Sequence, residues 1–162
     1  MTITMKNITK YGSLFIITLF CMLIIDLPYL YLNRNLYSNY TKSISGKSFT
    51  NRYYSGLFVY FALAIGIVVF VLPKIRVKGK FLDKALDALK YGGLFGIVTY
   101  GTFDFTMHYM FEGWDLKVSL IDTLWGGVLC SFATLLIIYI SSLLLSLVNA
   151  IDYLEPIEPF LE

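Results

Sequence analysis

Four stretches of this chain, residues 11–32, 54–72, 91–109 and 118–148, are apolar almost without interruption, and each is long enough to cross a lipid bilayer. An α-helix rises about 1.5 Å per residue, so about 20 residues cover a hydrocarbon core about 30 Å thick while the helix bonds its own backbone. Composition agrees. The chain is 57% hydrophobic and only 15% charged, with a mean hydropathy of +0.70, against about 25% charged residues in ordinary soluble domains. A net charge of +2 leaves no basic face for nucleic acid, and two cysteines make no disulfide framework. The expected fold is therefore all-α: a polytopic membrane protein, a four-transmembrane-helix bundle in a single membrane domain over residues 1–162, with the lipid bilayer as its first partner.

The first apolar run ends in Asp26-Leu27-Pro28-Tyr29, without the small residues of a cleavage site, and reads as a retained helix. Between the second and third runs, Phe81, Leu82, Ala85, Leu86 and Leu89 recur at helical spacing among charged residues. That pattern predicts a short amphipathic helix on the inner surface before the third span, or else the first turns of that span. Lys and Arg in the flanks set orientation. Lys6, Lys10 and the six basic residues of the second loop total eight, against five in the first and third loops, so both termini are expected in the cytoplasm. The acidic tail, residues 149–162, counts little under this rule. Ser45-Gly46-Lys47-Ser48 imitates the end of a phosphate-binding loop, but Thr41 stands where that loop requires Gly.

Few ionisable residues lie inside the spans. Asp26 precedes the end of the first by six residues, Asp104 precedes the end of the third by five, and Asp122 follows the start of the fourth by four. At about 1.5 Å per residue all three are expected roughly 6 to 9 Å inside one face of the membrane. His108 and Tyr100 share a helical stripe with Asp104, and Trp125 shares one with Asp122. Charges within hydrocarbon are costly and turn toward partners or water. The three carboxylates are thus expected to face one another, and their mutual repulsion calls for a proton, a metal ion, a substrate amine, protonated His108, or Arg52 from the start of the second span. Each Asp taken singly could instead cap or bridge helices, Asp122 above all.

Other features read as packing. Gly92, Gly96, Gly126 and Gly127 let helices approach closely. Tyr29, Tyr31, Tyr53, Tyr54, Tyr109 and Trp114 form an interfacial aromatic belt. Cys21 and Cys130 are small apolar residues of the interior.

The segment containing Tyr100, Asp104, Thr106, Trp114, Asp122, Trp125 and Gly126 resembles the signature of a bacterial and viral family of small four-helix proteins of unknown function, described as predicted membrane proteins. Asp26 with Tyr29 is similar to that family's Asp-x-x-Trp in the first helix. Met107 and Phe103 stand where the family usually has Asn and Tyr. The resemblance implies a fold and a set of motif residues, and no activity.

Three functions fit these residues. In the first, Asp26, Asp104, Asp122, His108, Tyr100, Trp125 and Arg52 line a polar pocket that binds or helps transport a cation or small ligand, in a homo-oligomer if several copies are needed. In the second, the protein is a membrane-embedded enzyme acting on lipid headgroups or isoprenoid-like substrates, with Asp104, Asp122 and Asp26 as ligands of a divalent metal and His108 assisting. In the third it is a structural or accessory membrane protein.

Overall fold

The computed structural model describes residues 5–47, 52–76 and 78–154. Ser48 of the loop-like tetrapeptide and residues 155–162 of the acidic tail lie outside them. Every element within them is helical: α1 (Met5–Ser45), α2 (Tyr53–Gly66), α3 (Phe81–Asp87), α4 (Gly93–Met110) and α5 (Leu116–Leu154). A π turn (Ile67–Val71) and a 3-10 turn (Leu72–Lys74) prolong α2, and a second π turn (Ala88–Gly92) joins α3 to α4. The two π turns pack against each other.

Three helical segments are long and apolar enough to span a membrane, Tyr11–Ser45, Tyr53–Lys74 and Leu116–Leu144. These correspond to the first, second and fourth expected spans. The third, residues 91–109, forms a helix but falls short in apolar character, because Asp104, His108, Tyr100, Tyr109 and the Thr and Gly residues of its middle dilute Leu94, Ile97 and Val98. The expected short surface helix is not a separate element either. Residues 81–110 are helical without a break, so α3 forms the first turns leading into α4.

The largest departure from expectation is in α1. Residues 33–45, read as loop, continue the helix to Ser45. At about 1.5 Å per residue its 41 residues extend about 60 Å, roughly twice the hydrocarbon thickness. Pro28 sits inside it and removes one backbone donor, freeing the carbonyl of Ile24.

α5 is the common wall of the bundle. It contacts α1, α3, α4 and both π turns. The core on its α1 and α2 side is built from Cys21, Met22, Leu63, Ile67, Val71, Leu129, Cys130, Ala133 and Ile137. Hydroxyls in these apolar helices return to their own backbone: Thr18 Oγ1 donates to the Leu14 carbonyl (2.6 Å) and Thr134 Oγ1 to that of Cys130 (2.7 Å). On the other side α4 lies against α5 with backbones nearly touching. A Cβ added at Gly96 would run into the Gly126 carbonyl, and one added at Gly126 would enter the Tyr100 ring. In lipid, where burying apolar surface gives helices no special preference for each other, such close packing supplies much of the association.

The connection from α2 to α3 is pinned by charge. Arg76 grips Asp87 through two parallel bonds, Nε to Oδ2 at 2.8 Å and Nη2 to Oδ1 at 2.9 Å, and its backbone N–H donates to the same carboxylate at 3.0 Å. Asp83 Oδ2 accepts the Lys80 N–H at 3.1 Å, closing the first turn of α3. The guanidinium and the backbone donor hold the Asp87 carboxyl down at about 2.

Candidate functional site

One stripe of α1 carries Asp26, Tyr29, Asn33, Tyr37 and Tyr40, at intervals of three and four residues. Asp26 is buried and is held from two other helices. Its Oδ1 accepts the Trp125 Nε1–H of α5 at 2.6 Å, and its Oδ2 accepts the Tyr60 hydroxyl of α2 in a short hydrogen bond. The Tyr29 ring stacks on the Trp125 indole, with centroids 3.8 Å apart and planes 9° from parallel. The Tyr37 hydroxyl donates to Asp122 Oδ1 at 2.6 Å and lies 3.1 Å from the Tyr29 hydroxyl, which is left to donate to it.

The result is a crossed pair of like motifs. Asp26-x-x-Tyr29 on α1 and Asp122-x-x-Trp125 on α5 are antiparallel, so each aromatic residue serves the opposite helix of the pair. Trp125 bonds Asp26 directly, and Tyr29 reaches Asp122 through Tyr37. One turn further along, α1 closes over the connection between α4 and α5. The Tyr40 hydroxyl accepts the Asp115 N–H at 2.6 Å. Its ring meets that of Trp114 edge on at 5.2 Å, and Trp114 Nε1 donates to Ser119 Oγ at 3.0 Å.

Asp104 is different. It is 2% exposed, and its Oδ2 has no hydrogen-bond partner. Two other buried side-chain oxygens among the described residues share that condition, Thr123 Oγ1 and Ser141 Oγ. The register of α4 on α5 sets the first two about one turn apart along the seam. Gly92 meets Cys130, Gly96 meets Gly126 and Gly101 meets Thr123, so Asp104, three residues beyond Gly101, comes level with the segment from Ser119 to Thr123. Ser141 lies about 27 Å further along α5.

The expected convergence of three carboxylates is thus only partly realised. Asp122 is close enough for its charge to act on both Asp26 and Asp104. Yet Asp26 and Asp122 are bonded by aromatic donors, and among the described residues no three His, Cys, Asp or Glu side chains group closely enough to hold a metal ion. Of the expected set Asp104, Asp122 and Asp26, both Asp26 oxygens are taken by Trp125 and Tyr60 and one Asp122 oxygen by Tyr37. His108 shares a stripe with Asp104 but is exposed, since it lies in the last turn of α4 beside the exposed Tyr109 and Met110. Arg52 is exposed just before α2, and its carbonyl accepts the Ser55 and Gly56 N–H groups. Among the described residues neither side chain forms an ion pair with the three carboxylates. Tyr100 packs on the apolar core against Gly126.

Tyr37 and Tyr60 were not among the expected site residues. Tyr37 fell in an expected loop, although its spacing from Asp26, Tyr29 and Asn33 continues a helical stripe. Tyr60 carries no comparable signal. The aromatic belt divides: Tyr31, Tyr53, Tyr54 and Tyr109 are exposed, whereas Tyr29 and Trp114 turn inward to the contacts above.

Long apolar helices, tied to one another by buried carboxylates and aromatic donors, define a helical protein of membrane type. The chain belongs to the family described as Predicted membrane protein (DUF2177), whose model matches residues 11–139. No curated protein and no solved structure matches it.

Proposed function

We propose that this chain is a multi-pass membrane binding element that holds a small cation at Asp104, within a frame fixed by Asp26, Asp122 and their aromatic donors. The observation that carries this reading is the contrast between the carboxylates. Asp26 has a donor on each oxygen and Asp122 has one, whereas Asp104 is buried with Oδ2 unpartnered. A buried carboxylate without a donor is costly as an anion and is satisfied by a cation or a proton. Carboxylate and hydroxyl oxygens are hard ligands suited to an alkali cation or a small ammonium group.

In this reading α4 is a fourth span, whose polar side is shielded by α5, and both termini lie in the cytoplasm. Translocation would require further copies of the chain, since four helices form no repeated halves. The enzyme reading needs His108 beside Asp104 and Asp122, and the exposed position of His108 favours it less.

The test is the melting temperature of the detergent-solubilised chain in Na⁺, K⁺ or methylammonium chloride, each against N-methylglucamine chloride. A ligand that binds only the folded chain raises the midpoint by mass action. At least one small cation is expected to raise it in the parent and not in Asp104→Asn. Equal midpoints in all four salts for the parent, or the same rise in Asp104→Asn, would overturn the proposal.

A further inference from the structure

The face of α1 next to the stripe of Asp26 and Tyr37 carries a groove of about 770 Å³, within the range of ligand-sized clefts. Leu27, Leu30, Tyr31, Arg34, Asn35, Tyr37 and Ser38 line it. These residues fall at helical spacing, so they form one continuous strip about 16 Å long. Its chemistry changes along that length. The end near Asp26 is purely apolar, with Leu27 and Leu30 exposed. Tyr31 follows, and the far end presents Arg34, Asn35 and Ser38. Arg34 forms no ion pair among the described residues, and its guanidinium lies 4.7 Å from the centre of the Tyr31 ring, which holds the charge over the groove.

A cleft that is apolar at hydrocarbon depth and cationic about two turns further on has the polarity profile of a single amphipathic molecule. We infer that this groove is a binding site for a glycerophospholipid with an anionic headgroup. An acyl chain lies along Leu27, Leu30 and Tyr31. The phosphate sits at Arg34, whose guanidinium donates to it, with the Asn35 amide and Ser38 hydroxyl as further donors. Asp104 is not among the residues that line the groove, whereas Tyr37, which donates to Asp122, forms part of its wall.

The full-length chain, purified in an uncharged detergent, is titrated with phosphatidylglycerol or phosphatidylcholine, and adducts are counted by native mass spectrometry. One phosphatidylglycerol is expected to bind in preference to phosphatidylcholine. Arg34→Gln is expected to weaken it roughly fivefold, the usual worth of one basic residue at an anionic lipid surface. Arg34→Lys retains most of the preference, and Arg52→Gln, at an exposed cation elsewhere, retains all of it. Equal binding of the two lipids, or an equal loss in Arg52→Gln, overturns the inference. So does competition by glycerol 3-phosphate at millimolar concentration, which would make the ligand a free phosphate instead of a lipid.

Discussion

A carboxylate inside a bundle of apolar helices needs a donor or a counter-charge, and the three aspartates of this chain meet that need differently. Asp26 receives an indole N–H and a phenol O–H from two helices, and Asp122 receives the Tyr37 phenol. Hydrogen bonds to charged groups are worth about 1.5–3 kcal/mol, and removing the donor leaves the acceptor unsatisfied. Tyr37→Phe and Tyr60→Phe are therefore each expected to destabilise the solubilised protein by about 1 to 3 kcal/mol, read as a lower midpoint in thermal or denaturant unfolding. Asp104 should behave in the opposite sense. Asp104→Asn deletes a buried charge that has no donor, so in N-methylglucamine its midpoint is expected to equal or exceed the parent's, whereas Asp26→Asn strands two donors and lowers it. A lower midpoint for Asp104→Asn would mean that its carboxylate is satisfied in the folded chain. These roles were only half legible from residue order. The depth of the three aspartates and the facing of Trp125 could be counted along the helices. Which oxygens of Asp26 and Asp122 receive a donor depends on Tyr37 and Tyr60, from distant parts of the chain, and no local pattern marks that.

Between elements, the close seam is α4 on α5. Gly96 faces the Gly126 backbone so tightly that any side chain must push the helices apart. Gly96→Ala is expected to cost about 1–3 kcal/mol by overpacking, more than Gly12→Ala, where an added Cβ meets open space. The spacing of Gly92 and Gly96 announces this seam in the sequence, as does the Gly126-Gly127 pair. The far end of α4 is anchored through α3 by Arg76 and Asp87. The Asp87 carboxyl is lowered from 3.8 to about 2, so its contribution to stability is fully present above the unfolded value and is lost as pH falls through about 2. Unfolding midpoints of the parent and of Asp87→Asn should accordingly differ at neutral pH and converge between about pH 4 and pH 2. A constant difference across that interval would show that the Arg76 contact adds nothing that depends on the Asp87 charge.

At the scale of the whole molecule, the number of crossings decides where everything else lies. α1, the prolonged α2 and α5 are apolar enough to cross unaided. α4 carries the buried Asp104 and too many Tyr, Thr and Gly residues to rank with them, yet it lies along α5 through its glycine seam and hides its most polar group there. In the proposed four-span reading α4 inserts because its neighbour α5 covers its polar stripe, which the hydropathy of the segment alone does not register. Parity separates the two topologies. With four crossings the two ends of the chain share a side, and the α2–α3 connection around Arg76 lies opposite the α4–α5 connection around Trp114 from α1's far side inward. With three crossings, α4 lies on the surface and the ends are on opposite sides. Reporter fusions at each terminus, active only in the cytoplasm, are expected to be active at both. Single cysteines introduced at Lys78 and Glu112, in a background with Cys21 and Cys130 replaced by Ala, are expected to react with a membrane-impermeant maleimide from opposite faces, Glu112 from outside. Labelling of both from the same face, or activity at only one terminus, would leave α4 outside the membrane. It would also place Asp104 in the aqueous boundary, where a carboxylate needs no cation, and so remove the basis for the proposed site.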